Sequence, residues 1–512
     1  MPISRRHFLC LSTLLLMPAT GISSRREKTL TVAWPVDVLS RDPARGTPIQ
    51  SPILKCVYDQ PLGLSPSLDI VPALITRFRW LDRFNTILKL HFRNDVLFHN
   101  GQPFSARDFA FSFLERARLL PGTLLSGIWG NIERIETPDA FTAVVHFTRP
   151  MATALSMMVD IPSYVVPQEY YQKVGPQQFR AKPVGSGPYR LIDYQPGMHI
   201  TLEANPFYWR GRPGFERITF LIVPDKLSRL AMLEAGHIDL SLDFTTRDAQ
   251  SVATKGNLTP YFQPTTGITL LQMVNKGALQ DRRVRLAMHH AINKPLISKA
   301  VFQGHALPVS IPAGKNMPGY DPGFTFAWDR QKAARLLKHA GYSRHKPLKL
   351  NFYTTKGMLP GDLEIASAIA YMWKEVGIDA RLQIVTPAML VSYRNSNKFD
   401  GPLLQGWNPA AGDPATYSGL LLNPDAALSL WKSDDLRAAL QKLSLITDFQ
   451  QRAAAFKTFD RWQVSQGYTI PLFQNTSVLL YKPDLAVPEN MAGQVDFFKI
   501  RPRQKTRGDT QR

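Results

Sequence analysis

His289-His290 is the one place in the chain where two imidazoles stand side by side, and imidazole is the commonest metal ligand. Neighbours on a helix point about 100° apart, so the two rings do not converge on one ion. A packed His289 beside a solvated His290 is the expectation. No HExxH, CxxC or closely spaced His/Cys set offers zinc ligands. Gly185-Ser186-Gly187 lacks the Gly-Lys-Ser/Thr of a phosphate loop and the spacing of a dinucleotide fingerprint, so its glycines read as a tight turn. No GxSxG elbow occurs, and Ser186 has no base that the sequence identifies. Carboxylate pairs are numerous, but their separation in space is not readable. The expectation is no enzyme: no catalytic residues, no metal ligands and no cofactor.

The elements that hold these residues follow from periodicity and caps. Leu88, Leu90 and Phe92 alternate with Lys89, His91 and Arg93, the period of a half-buried strand. Asn100-Gly101 is turn chemistry. Ser105 and Asp108 form a capping-box pattern, and Phe109 and Phe113 give the following helix an inward face. Strands are expected at 30–34, 142–147, 189–194, 199–203 and 218–222. Asp225 caps a helix carrying Leu227, Leu230 and Leu233, stopped by Gly236. From about residue 260 the texture becomes alternating strands and helices. A strand at 268–273 precedes a helix capped by Asp281, with Val284, Ala287, Met288 and Ala291 inward. Asp329 caps another with Ala333, Leu336, Leu337 and Ala340 inward. Segments 348–353, 363–376 and 380–385 read as strand, helix and strand, hence a parallel pair with a right-handed crossover.

At 512 residues the chain exceeds one core, and 44% hydrophobic with 20% charged residues excludes wholesale disorder. Ser4-Arg5-Arg6-His7-Phe8-Leu9 is similar to a twin-arginine export motif. The apolar run 8–17 is too short to span a membrane, so residues 1–21 read as a cleaved leader. Cys10 lies at the start of that run, too early for lipid attachment, and Cys56 is then the lone mature cysteine, read as a buried apolar group. Loss of Arg5 and Arg6 lowers the net charge from +21 to +19. The basic residues are scattered singly, which favours a soluble basic surface over nucleic-acid binding. The tail 506–512 reads as disordered.

Several of these segments, in order, resemble one family. Residues 88–109 follow "L-x-L-R-x-x-V-K-F-H-D-G-x-P-F-x-A-x-D-V". Gly185-Ser186-Gly187-Pro188-Tyr189 follows "G-T-G-P-Y", and Asn205-Pro206-Phe207-Tyr208-Trp209 follows "N-x-x-Y-W". Residues 281–293 follow "D-x-R-V-R-x-A-x-x-x-A-I-D", and 304–308 follow "G-x-A-x-P". The chain resembles the family 5 extracytoplasmic solute-binding proteins, the peptide and nickel receptors of ABC importers.

The resemblance implies an α/β, two-lobed periplasmic-binding-protein fold (class C) with an additional small domain, its lobes joined by hinge strands. Lobe I would take 22–45, 184–262 and 472–505, the inserted domain 46–183, and lobe III 263–471. It implies a monomeric periplasmic receptor for a peptide or peptide-like solute. Its partners would be ABC permease and ATPase subunits, with membrane contact only through the permease. A metal chelate, an opine or another organic ion is the alternative cargo, and an exported hydrolase the remoter one. Residues 406–414 resemble the family's cleft loop "G-W-x-x-D-x-x-D-P". Trp407 would back the ligand, with Asp413 shaping the loop. Ala410 replaces the aspartate that pairs with a peptide's α-ammonium. Thr47 falls where the family places a ligand-facing loop, and Arg45 and Asn408 are candidate polar contacts.

Overall fold

Two antiparallel strands, Thr259–Gln272 and Thr469–Tyr481, are the spine of an eleven-stranded sheet. In this computed structural model the described residues are 28–503 apart from 39, 409, 410, 427, 447 and 490–493. The leader 1–21 and the tail 506–512 lie outside them. At about 3.4 Å per residue each spine strand is roughly 45 Å long, enough to pass from one half of the molecule into the other. Where Thr259 faces Tyr481, the neighbours are Leu240–Leu242, Thr29–Trp34, Arg217–Ile222, His199–Ala204 and Tyr189–Gln195, in that order. Beyond the other end lie Leu403–Trp407, Leu348–Thr354 and Ile378–Ile384. The last two are parallel, Leu348 opposite Ile378, with the helix Asp362–Lys374 between them as the crossover expected.

Each half has its own core. Leu271, Ile365, Trp373 and Phe473 belong to one, and Leu30, Trp34, Phe220 and Ile500 to the other. A separate four-stranded sheet runs in the order Ile75–Trp80, Ile87–Phe92, Thr142–Phe147, Ile132–Asp139. Phe109 and Phe113, stacked at 4.5 Å, fill its core, and their helix begins with the expected box: Ser105 N–H donates to the Asp108 carboxylate at 2.8 Å.

The Asp225, Asp281 and Asp329 caps form as read, each carboxylate accepting a backbone N–H of its first turn. Three expectations change. Leu227 is 66% exposed, because its helix buries Leu233 and Arg229, whose guanidinium donates to the carbonyls of Val223 and Pro224. His290 is buried rather than solvated: Nδ1 lies 2.8 Å from the Ala327 carbonyl, and both histidines pack against Phe326. Burial pushes the His289 imidazole well below its ordinary pKa. The strand at 268–273 is only the second half of a strand that starts at Thr259.

The resemblance motifs turn out to meet. The turn at Gly185-Ser186-Gly187 lies against the end of the helix Ser51–Val57, with Gly187 N–H on the Val57 carbonyl at 3.0 Å. A Cβ at Gly187 would stand 2.6 Å from the Cys56 carbonyl oxygen. Ser186 Oγ, Tyr208 OH and Trp209 Nε1 all donate to the buried Asp59 carboxylate, at 2.9, 3.0 and 3.1 Å. Asn205 Nδ2 donates to the Gly187 carbonyl at 3.1 Å. His99 Nδ1 accepts the Gly185 N–H, so its proton sits on Nε2, which faces the Gly187 carbonyl at 3.0 Å. Burial pushes the His99 pKa down to about 4, which keeps that neutral form at any ordinary pH.

Because the Gly187 contact is to backbone, alanine there forces a main-chain shift. Gly187→Ala is expected to cost about 1–3 kcal/mol in urea unfolding. Gly127→Ala, in open space on the helix Leu124–Trp129, should instead gain about 0.4–1 kcal/mol. Equal effects at the two positions would refute the close-approach argument.

Candidate functional site at the Trp407 loop

The strand Leu403–Trp407 pairs with the spine, Trp407 opposite Ile268, and delivers the loop to the C-terminal edge of the parallel strands. That edge is where open α/β sheets hold ligands. The indole Nε1 donates to the Thr416 carbonyl at 3.1 Å, which fixes the ring. The ring packs on an apolar cluster of Ile268, Val309, Ile311, Met317 and Tyr417. Leu68 completes this cluster, although it belongs to the unit built on the four-stranded sheet.

Asn408 is exposed, and its Oδ1 accepts from Thr266 Oγ1 at 2.8 Å. Pro409 and Ala410, the substituted position, lie outside the described residues. Ala411 is 4% exposed and lies in the core of the four-stranded unit, not of its own half. Asp413 is fully buried. Its Oδ2 accepts from Arg452 at 2.8 Å in its own half and from Ser156 Oγ at 2.6 Å in the opposite unit. Its Oδ1 caps the short turn Pro414–Thr416 through the Ala415 N–H. Asp413 therefore shapes the loop and ties it across the cleft. Arg45 and Thr47 are both exposed, on turns that precede the helix Ser51–Val57. Thr47 N–H donates to Gln50 Oε1 at 3.1 Å. Among the described residues no hydrogen bond joins either to the Trp407 loop; the link is through Ala44, which shares a core with Ala411.

The sequence reading missed the spine's own polar centre. The strand register shifts between Pro264 and Ile268, so Thr265, Thr266 and Gly267 bulge out of the ladder. Gln474 Nε2 donates to the Thr265 carbonyl at 2.9 Å, and Thr269 Oγ1 to Asn475 Oδ1 at 2.7 Å. The runs Thr265-Thr266-Gly267 and Gln474-Asn475-Thr476, polar interruptions inside apolar strands, were the available signal. Beneath the loop, burial pushes the Asp460 carboxyl up to about 7 and the Lys294 ammonium down to about 7. The loop thus presents an indole, an amide and several hydroxyls close together.

Residues 69–429 match the family described as bacterial extracellular solute-binding proteins, family 5 Middle. The chain belongs to that family. It is 26% identical over 427 residues to heme-binding protein A of Haemophilus influenzae, covering 76% of each chain. It is 24% identical over 480 residues to the periplasmic murein peptide-binding protein MppA of Escherichia coli, covering 87% of each. The solved structure of HbpA2 from Haemophilus parasuis superposes with a TM-score of 0.82 at 21% identity, covering 93% of this chain and 100% of that one. The fold is thus the two-lobed α/β fold of periplasmic binding proteins. Family and neighbours are binding proteins. Among the described residues no helix is long and apolar enough to cross a membrane.

For this family 5 chain, the loop contact with the sharpest energetic consequence is Asp413. Asp413→Ala removes the carboxylate from a buried guanidinium and should cost about 3–5 kcal/mol in chemical denaturation. Ser156→Ala should cost less, about 1.5–3 kcal/mol, because the Arg452 pair survives it. Similar losses for both would show that the carboxylate is held chiefly from across the cleft.

Proposed function

We propose that this chain is the solute-capturing subunit of an ABC importer, and that its cargo is a peptide or peptide-like molecule. The supporting observation is the loop from Trp407 to Asp413, which meets the opposite unit at Leu68 and at Ser156 and places its own Ala411 in that unit's core. A loop so placed senses whether the cleft is shut. Family membership and the murein-peptide relative favour peptide cargo. The spine strands act as the hinge between a lobe I at 22–45, 184–262 and 472–505 and a lobe III at 263–471, with 46–183 inserted. Ligand stabilises the closed arrangement by its greater affinity for it, and a permease reads that arrangement. Trp407 walls the pocket; Asn408, Thr47 and Arg45 offer polar contacts. With Ala410 in place of an acid, a peptide's ammonium is anchored elsewhere or the cargo lacks one. The mature protein works as a free periplasmic monomer, not a lipoprotein, and ATP is hydrolysed by its partners.

Calorimetry against a panel of di-, tri- and tetrapeptides tests the cargo class. Trp407→Ala should weaken the best binder by about 1–3 kcal/mol. A panel without any binder, or a variant with unchanged affinity, would defeat the peptide reading or remove the indole from the site. Export is tested separately: replacing Arg5 and Arg6 together by lysine should leave the precursor in the cytoplasm. Undiminished periplasmic recovery would exclude the twin-arginine route.

A further inference from the structure

A cavity of about 120 Å³ lies between the helix Ser51–Val57, the hairpin Leu62–Leu64/Ile70–Pro72 and the segment 494–499. No residue of 263–471, the half that carries Trp407, lines it. It is therefore separate from the cleft. Its walls are charged with both signs. Lys55 lines it, largely buried, and its ammonium makes no hydrogen bond or ion pair with any described residue. Burial lowers its pKa, while the more distant carboxylates of Asp160 and Asp496 act the other way. Arg210 adds a guanidinium to the lining, held by stacking on Trp209 at 4.3 Å. Asp496 contributes a carboxylate whose nearest cation is Lys499 Nζ at 3.4 Å, on the same turn. The Asp59 carboxylate, by contrast, already has its three donors.

We propose that this cavity is a second ligand site that takes one amino-acid-sized zwitterion, its carboxylate on Lys55 and Arg210 and its ammonium on Asp496. A cation taken from water without a partner is costly, and a ligand carboxylate supplies that partner with a charge-assisted hydrogen bond. Size fits the same class. At roughly 10–15 Å³ for each water-sized position, the cavity offers about ten positions, the scale of an amino acid and too small for a tripeptide. The hairpin that forms one wall also carries Leu68, at its tip, into the apolar cluster under Trp407. An occupant thus braces the wall from which a cross-cleft contact springs.

The test uses the mature chain with L-alanine as probe, and propionate and ethylamine as its two halves, read by thermal shift and calorimetry. L-Alanine should raise Tm and bind one to one, with each half weaker. Lys55→Gln and Asp496→Asn should each weaken L-alanine by about tenfold or more, the worth of one charge-assisted contact. Both variants should keep the circular dichroism of the parent, since neither residue is held by a short buried ion pair. No response to L-alanine, or an affinity unchanged from the parent in both variants, overturns the proposal. Loss of the response in Trp407→Ala also overturns it, because the amino acid would then sit in the cleft. Failure here leaves peptide binding to the cleft standing, and the converse also holds.

Discussion

The buried carboxylate of Asp59 is the constraint that the rest of the structure depends on. A charged group taken out of water demands partners, and two segments remote from Asp59 in the chain supply three donors. Ser186 comes from the glycine turn, Tyr208 and Trp209 from the aromatic segment, and each gives one donor. The turn must come close enough to do so, which is why Gly185 and Gly187 lie against the end of the helix Ser51–Val57 with no room for a side chain. His99, from the strand–turn–helix segment, locks the same turn from its other side. Seen this way, three resemblance motifs are one joint. They fix where the four-stranded unit sits on the large sheet.

Two long strands pass between the halves, and their register breaks at Thr265–Gly267. A bulge twists and bends a strand locally, so the break is where bending is cheapest. The groups released from the ladder are met by side chains instead: Gly267 N–H by Thr265 Oγ1, and the Thr265 carbonyl by Gln474. Side-chain bonds of this kind rearrange at less cost than a ladder. The polar centre of the spine and the apolar cluster under Trp407 are therefore neighbours with different roles, one yielding and one gripping.

What the sequence disclosed and what it hid divide along the same physical line. Local signals were legible: the Ser105–Asp108 box, the Asp225, Asp281 and Asp329 caps, and the inward faces of Phe109 with Phe113 and of Val284 with Met288 all stand as read. The parallel pair 348–354 and 378–384 followed from strand–helix–strand order. The spine was half hidden because Pro260, Pro264 and Gly267 break its alternation, and prolines argue against a central strand. His290 was misplaced because its burial comes from Phe326, an aromatic remote from its own helix. In the candidate site, the loop from Trp407 to Asp413 was legible only through resemblance. Its cross-cleft partners Ser156 and Leu68 carry no local mark, since a serine on a short helix and a leucine in a turn look like surface.

The contact across the cleft is small by construction, and that suits a receptor that must reopen. Burying Leu68 contributes about 1.5–3 kcal/mol and Ala411 less, by apolar area. The Ser156 bond to a carboxylate adds about 1.5–3 kcal/mol. Against this stands the cost of ordering a loop of several residues, about 1–2 kcal/mol for each backbone unit fixed. The two sides are of the same order, so a further term can decide between the arrangements. Asp413 keeps the balance from tipping. Arg452, within the same half, already holds its charge in either arrangement, so closing forms one hydrogen bond and does not desolvate a bare carboxylate. A solute that adds even a few kilocalories of differential contact then decides the population.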